Sequence, residues 1–135
     1  MNTKITKRMT FCAGHRLYNP QLSDEKNLEI YGPCSHPGGH GHNYILEVTV
    51  SGAIDPKTGM IINLRSMKEI ISREIIAKVD HKNLNSDVDF MRGIIPTTEN
   101  FAAEIWKILD RSFGGELLQK IMLRETENNC VEICR

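Results

Sequence analysis

The pair His40-Gly41-His42 is the feature of this chain whose residue types and spacing most clearly suggest chemistry. Two residues apart on an extended strand, both side chains point to the same side, roughly 6.6 Å from each other. One metal ion can bridge that span, because zinc binds an imidazole nitrogen at about 2.0–2.1 Å. The chain holds five histidines, and one of the others, His15, stands at the end of an earlier strand pattern. We therefore interpret the pair as part of a metal site.

Two strand patterns decide whether His15 joins that site. Residues 3–15 and residues 44–50 both alternate apolar and polar side chains. If these strands are antiparallel neighbours, the end of the first lies beside the beginning of the second, and His15 meets the pair. Three histidines with an open fourth position are typical of catalytic zinc. The alternative is a group of surface or core histidines around a glycine-rich turn. His36, in a loop with Pro and Gly, is interpreted as solvated and is not included among the ligands.

Cys34 and Asp80-His81 are candidates for proton transfer. Cys34 precedes the histidine pair by a short flexible stretch, so its sulfur can reach the site. A thiol near a divalent cation ionises more readily, and a thiolate can act as a general base; the alternative is a loop cysteine with no role. Asp80 and His81 follow a helical pattern and form a plausible proton relay, whereas helix capping by His81 is the structural alternative. The remaining cysteines lie in strand patterns and are interpreted as small apolar side chains: Cys12, Cys130 and Cys134.

Glu125 is a carboxylate on the apolar side of a strand pattern. Strand alternation places it on the same side as Ile121 and Leu123. A buried unpaired charge on that side would be strongly destabilising. Its partner is therefore either a cation of this chain or a ligand. A flat heterocycle with adjacent ring N–H and amino donors, as in guanine or pterin, would form two hydrogen bonds with the carboxylate.

The elements that must position these residues form an α+β pattern. The periodicities predict, in chain order, strands over 3–15 and 44–50, helices over 64–79 and 99–112, and strands over 117–126 and 130–133. Ser66 and Glu69 offer a capping box for the first helix. The stretch 16–39 has no sustained period and is predicted to be a long loop. We expect a mostly antiparallel, four-stranded sheet with two helices on one face.

Length, composition and charge exclude several classes of function. A chain of 135 residues that is 40% hydrophobic fits one domain over residues 1–135 without disulfide bonds. Its 17 basic residues balance 17 acidic ones, so nothing favours a nucleic acid or an acidic membrane surface as partner. The first residues contain no apolar run of the length that a signal sequence or a membrane span needs. We expect a cytoplasmic protein.

Six motifs, taken together, resemble the 6-pyruvoyltetrahydropterin synthase family nearly from end to end. They are Phe11-Cys12-Ala13-Gly14-His15-Arg16-Leu17, Cys34 with five residues before His40-Gly41-His42-Asn43-Tyr44, Asp55-Pro56 with Gly59-Met60, Asp80-His81-Lys82-Asn83-Leu84, Thr97-Thr98-Glu99-Asn100, and Glu125-Thr126. The family has the tunnelling fold, whose order of strands and helices agrees with the pattern above. The resemblance implies a homohexamer of two trimers, with active sites at subunit boundaries.

The resemblance also implies an activity and a cofactor. The family converts 7,8-dihydroneopterin triphosphate into 6-pyruvoyltetrahydropterin with loss of inorganic triphosphate, a step of tetrahydrobiopterin biosynthesis. Its enzymes are zinc-dependent lyases, and the positions that match their zinc ligands are His15, His40 and His42.

The other functional positions of the family are matched residue by residue. The resemblance implies that Cys34 is the catalytic base and that Asp80 and His81 form the pair that assists it. Glu125 matches the residue that anchors the pterin ring, and Thr97-Thr98 match residues that line the pterin pocket. These implied roles agree with the chemistry considered above for Cys34 and Glu125.

Two further functions stay open at this point. The 6-carboxytetrahydropterin synthase of the queuosine route has the same fold and substrate, but its cysteine usually stands three residues before the His-Gly-His motif. Here five residues intervene, which favours the pyruvoyl enzyme. The non-enzymatic alternative is a module that binds zinc or pterin without turnover. The chain also departs from the family's usual residues at His36 and Gly39, and at Cys12, a position that is often serine in the family.

Overall fold

A five-stranded sheet organises the computed structural model, which describes residues 1–135. In chain order the strands are β1 (Lys4–His15), β2 (His40–Ser51), β3 (Lys82–Asn83), β4 (Leu118–Arg124) and β5 (Cys130–Cys134). Across the sheet their order is β3-β1-β2-β4-β5. The pairs β1–β2, β2–β4 and β4–β5 are antiparallel, whereas β3 runs parallel to β1.

Three helices accompany the sheet. Helix α1 spans Asp24–Tyr31, and α3 spans Thr98–Ser112. Helix α2 covers residues 64–79 as an α-helix (Leu64–Ile71), a π-helical segment (Ser72–Ile76) and a last turn (Ala77–Val79). Short 3-10 segments lie at Gly32–Ser35 and Asp89–Met91. None of the helices combines the length and the apolar composition that crossing a bilayer requires.

The core lies between one face of the sheet and helices α2 and α3. Because strand side chains alternate, Phe11, Ala13 and His15 of β1 lie on the same buried face as Tyr44 and Leu46 of β2. In all, 21 buried apolar residues form one cluster. The opposite face of these two strands carries half-buried and exposed side chains, among them Arg8, Thr10, Cys12, Asn43 and Glu47.

The π-helical segment keeps α2 facing the sheet. Met67, Ile71, Ile75 and Val79 are spaced by four residues, and all are fully buried. In an α-helix of 3.6 residues per turn, residues at that spacing drift around the axis by about 40° at each step. A π-helical turn contains more residues and reverses part of the drift. The segment therefore allows all four side chains to reach the core and determines where the chain leaves the helix at Asp80.

The predicted α+β class and the order of the long elements are confirmed, but the expected four-stranded antiparallel sheet is wrong. β3 adds a parallel fifth strand beside β1; it has only two residues, too few to show a period. The predicted loop 16–39 contains α1, whose only buried residue is Asn27, so it lacks the apolar stripe that signals a helix. The N-cap of α2 is Asn63 rather than Ser66.

Candidate metal centre and binding cleft

The register of β1 and β2 brings three histidines together. His15 lies directly opposite His40, and Ala13 lies opposite His42. One ligand nitrogen from each of the three rings lies within 4.8 Å of the others. Gly39 permits the approach of the two strands: its φ is +68°, and a Cβ there would lie 2.9 Å from the carbonyl oxygen of His15. The predicted antiparallel placement of His15 is confirmed.

Hydrogen bonding and burial favour the neutral form of these rings, which is the form that binds a metal ion. The Nδ1–H of His15 donates to the carbonyl oxygen of Pro96 at 2.8 Å, so the neutral ring has a lone pair on Nε2, which lies 3.1 Å from Nε2 of His40. Nε2 of His42 is buried and has no hydrogen-bond partner. Burial lowers the pKa of His15 and of His42, which favours the neutral form that binds metals. The three residues therefore fit a divalent metal ion with nitrogen ligands.

A carboxylate adjoins the histidines at the mouth of a cleft. Glu125 directly follows β4; its Oε1 lies 3.7 Å from Nε2 of His42, and its side chain is 20% exposed. The hydroxyl of Thr98 donates to the Oε2 atom of Glu125. The cleft has a volume of about 510 Å³, within the range of small-molecule sites. Its lining includes Leu17, Tyr31, Thr97, Thr98, Glu125 and Val131.

Thr97 and Thr98 contribute to this cleft in different ways. Thr97 is the N-cap of α3, and its side chain accepts the backbone N–H of Asn100. The hydroxyl of Thr97 therefore caps α3. The hydroxyl of Thr98 instead orients the carboxylate of Glu125. The structure thus places both threonines and Glu125 at one cleft next to the histidine cluster, and their role in binding pterin stays a prediction.

Two groups at the centre were missed by sequence reasoning. Tyr44 is fully buried, stacks on Phe11 with ring centroids 5.0 Å apart, and lies 5.7 Å from the ring of His42. Its hydroxyl has no partner, and burial raises its pKa. Tyr44 lies two residues after His42 on β2, so the alternation of strand side chains could have predicted that it lies on the same face as the histidine pair. The carbonyl of Pro96 carries no such signal, because any residue supplies one.

Asp80 and His81 lie beside β1 at Cys12. The backbone N–H of Cys12 donates to Oδ1 of Asp80 at 3.0 Å, and the N–H of His81 donates to the carbonyl of Cys12 at 2.7 Å. Nδ1 of His81 lies 3.0 Å from Oδ1 of Asp80, and the His81 side chain is 79% exposed. The predicted association of Asp80 with His81 is therefore present in the structure.

Cys34 makes no hydrogen bond or ion pair with that pair within one chain. It lies in the segment Gly32–Ser35, is half-buried, and accepts the N–H of Leu17 through its carbonyl. Its sulfur makes no hydrogen bond, and no hydrogen bond or ion pair joins it to Asp80 or His81. Cooperation between Cys34 and the pair stays a prediction. His36 is exposed and accepts the N–H of Gly38, and it is not part of the histidine cluster.

The fold and the histidine cluster define an α+β protein with a candidate metal centre beside a cleft of small-molecule size. The family model described as 6-pyruvoyl tetrahydropterin synthase matches residues 4–135, and the chain belongs to this family. It is 47% identical over 128 residues to the 6-pyruvoyl tetrahydrobiopterin synthase of Pongo abelii, covering 95% of this chain and 88% of that protein. The human protein of the same name is 45% identical over 128 residues, with the same coverage. The structure of Caenorhabditis elegans 6-pyruvoyl tetrahydropterin synthase superimposes with a TM-score of 0.93 at 33% identity, covering 100% of this chain and 96% of that one.

The position of Asp80 predicts a pH-dependent stability. The backbone N–H of Cys12, and then the neighbouring His81, hold the pKa of Asp80 below its ordinary value of 3.8. A lowered folded-state pKa stabilises the protein above the unfolded value, and the contribution is lost as pH falls through the folded value. The free energy of unfolding of wild type should exceed that of Asp80→Asn at neutral pH, and the difference should shrink as the pH falls below 3.8. Urea titrations at several pH values measure it.

The exposed Asp89, which pairs only with Arg92, provides the control. Asp89→Asn should change the stability at neutral pH less than Asp80→Asn does, because surface ion pairs contribute little. A wild-type advantage over Asp80→Asn that is equal at neutral and acidic pH would contradict the assigned hydrogen bond.

Proposed function

We propose that this chain converts 7,8-dihydroneopterin triphosphate into 6-pyruvoyltetrahydropterin with release of inorganic triphosphate. The observation that carries the proposal is the three-histidine cluster directly beside the Glu125 cleft, in a chain that belongs to the 6-pyruvoyl tetrahydropterin synthase family. This reaction needs a metal centre and a group that holds the pterin ring, together with a base, and the cluster and the carboxylate can supply the first two. The similarity to the 6-pyruvoyl tetrahydrobiopterin synthases of Pongo abelii and human supports the same assignment.

Zinc is the proposed metal, and His15, His40 and His42 would hold it. Three neutral imidazoles leave a fourth position open, which is the arrangement of catalytic zinc sites. When bound, zinc acidifies the hydroxyl groups it contacts and stabilises negative charge on oxygen. The hydrogen bond from His15 to Pro96 fixes the orientation of one ligand before the ion arrives.

Glu125 would bind the pterin ring. Its carboxylate can accept hydrogen bonds from the ring N–H and the amino group, which lie side by side on the heterocycle. Thr98 donates to one carboxylate oxygen and limits the side chain to one orientation. The distance of 3.7 Å between Glu125 and His42 means that a ring held by the carboxylate lies beside the metal centre.

Cys34 would act as the base. Its thiolate removes the proton from the side-chain carbon next to the ring, and the released electron pair passes into the ring. Loss of a proton from the next side-chain carbon then forms a carbon–carbon double bond as the triphosphate leaves with the electron pair of its carbon–oxygen bond. The side chain loses two electrons and the ring gains them, so the reaction needs no external oxidant. Asp80 and His81 would assist the proton transfers.

We infer a homohexamer of two trimers in which Asp80 and His81 of one copy approach Cys34 of another, and this arrangement would allow the pair to assist the base. No hydrogen bond or ion pair joins the pair to Cys34 within one chain, and the His81 ring is 79% exposed and free to meet a neighbour. In this arrangement residues 1–135 act as one domain that supplies parts of two active sites.

Incubation of the purified protein with 7,8-dihydroneopterin triphosphate, followed by identification of the pterin product, tests the function directly. 6-Pyruvoyltetrahydropterin supports the proposal, and 6-carboxytetrahydropterin would assign the alternative enzyme. Binding of substrate without any product would indicate a non-catalytic pterin-binding module. The five residues between Cys34 and His40 favour the first outcome.

Complementation between variants tests the shared active site. His40→Ala and His81→Ala chains, each inactive alone, should regain activity when they are co-expressed with different tags and purified through both. Mixed assemblies contain sites with an intact histidine cluster from one chain and an intact Asp80-His81 pair from another. A doubly tagged assembly with no activity above its parents would contradict the shared site.

Removal of one histidine ligand should cost metal and activity together. His40→Ala should lower metal affinity by more than the roughly 10–100-fold that loss of an outer-shell partner costs. Metal content by mass spectrometry and the rate of product formation measure the two effects. His36→Ala is the matched control, because that ring is exposed and lies outside the cluster. Full zinc content in His40→Ala would remove the assigned site.

Glu125→Gln should retain the metal and lose pterin affinity. Loss of a buried charged hydrogen-bond pair costs about 2–5 kcal/mol, which calorimetry with a non-reactive pterin can measure. Glu127→Gln, in the exposed turn before β5, is the control and should bind pterin normally. Unchanged affinity in Glu125→Gln would instead make the carboxylate an internal partner of His42.

Cys34→Ala should retain the fold, the metal and substrate binding but lose turnover by about 10²-fold or more. Cys134→Ala is the control, because that thiol is exposed on β5, lies outside the cleft and should not affect the rate. Loss of metal from Cys34→Ala would show that the sulfur is a ligand. Near-normal turnover would assign proton removal to another group, and His81 is the first candidate.

A further inference from the structure

A second cluster of metal-ligating side chains lies outside the histidine centre. The sulfur of Cys12, a carboxylate oxygen of Asp80 and a ring nitrogen of His81 all lie within 4.8 Å of one another. Cys12 belongs to the face of β1 opposite His15. A hollow of about 380 Å³ opens at this cluster, and its lining includes Cys12, Asn43, His81 and Lys82.

The backbone holds the three ligands in place. Cys12 donates its N–H to Asp80 and accepts the N–H of His81, so one strand residue fixes both neighbours. His81 has a φ of +60°, the only positive value at a non-glycine residue, which is a constrained conformation for a residue with a Cβ. Oδ1 of Asp80 accepts the N–H of Cys12 and lies 3.0 Å from Nδ1 of His81. These contacts hold the carboxylate and the ring beside the sulfur of Cys12.

We propose that Cys12, Asp80 and His81 form a second binding site for a divalent metal of zinc-like preference. Thiolate sulfur, imidazole nitrogen and carboxylate oxygen are the three ligand types that zinc binds in proteins, and water completes four-fold coordination. The Cys12 thiol loses its proton to solvent when the ion binds. Serine in place of Cys12 provides no soft ligand, so the site depends on this cysteine.

Binding here has a consequence for the reaction. An ion on Asp80 and His81 occupies the groups that the proposed function assigns to assisting proton transfer. Excess zinc should therefore inhibit turnover, and Cys12→Ser should resist this inhibition. This consequence rests on the proposed function, whereas metal binding at the cluster does not.

Titration of the metal-free protein with Co²⁺ tests the site itself. The histidine centre has only nitrogen ligands, so a thiolate-to-cobalt charge-transfer absorption reports the Cys12 site. Wild type and Cys34→Ser should both develop this absorption, and Cys12→Ser should not. His40→Ala should retain it, because the histidine centre is disrupted and the second cluster is untouched.

Three results would overturn the proposal: no thiolate absorption in wild type, its persistence in Cys12→Ser, or its loss in Cys34→Ser. A failure of the proposed function would be distinguishable. In that case the protein would form no 6-pyruvoyltetrahydropterin, whereas the cobalt titration would still show the thiolate absorption. Where the protein is active, zinc inhibition that is equal in wild type and Cys12→Ser would refute the inhibitory role.

Discussion

The antiparallel register of β1 and β2 is the constraint on which the rest of the structure depends. Because each strand alternates its side chains, the register that buries Phe11 against Tyr44 also places His15 opposite His40. A shift of one residue would move the apolar side chains and the histidines to the polar face together. Core packing and the geometry of the histidine cluster are therefore stabilised by the same strand pairing.

The two faces of β1 support different chemistry. His15 lies on the buried face, where desolvation lowers its pKa and keeps the ring neutral for a metal. Cys12 lies on the opposite face, where its backbone groups position Asp80 and His81. One strand thus contributes to the proposed zinc centre and to the candidate second site, and a change of its twist or position would affect both.

The proposed hexamer would give association a chemical role. No hydrogen bond or ion pair joins Cys34 to Asp80 or His81 within one chain, and in the proposed assembly the base and its assisting pair would meet across a boundary between copies. The His81 ring is 79% exposed in the isolated chain, and the proposed association would bury part of it. The small fold would in this way obtain an active site larger than one copy can enclose.

The sequence by itself determined the α+β class, the long strands and helices and the histidine cluster, because these follow from side-chain periods and from residues two apart on a strand. Only the tertiary structure revealed β3 and α1, since two residues have no period and the buried side of α1 is a polar Asn27. The same holds for the Pro96 carbonyl behind His15 and for Cys12 beside Asp80. These contacts join residues more than 60 positions apart through backbone groups, which every residue has and no sequence pattern marks.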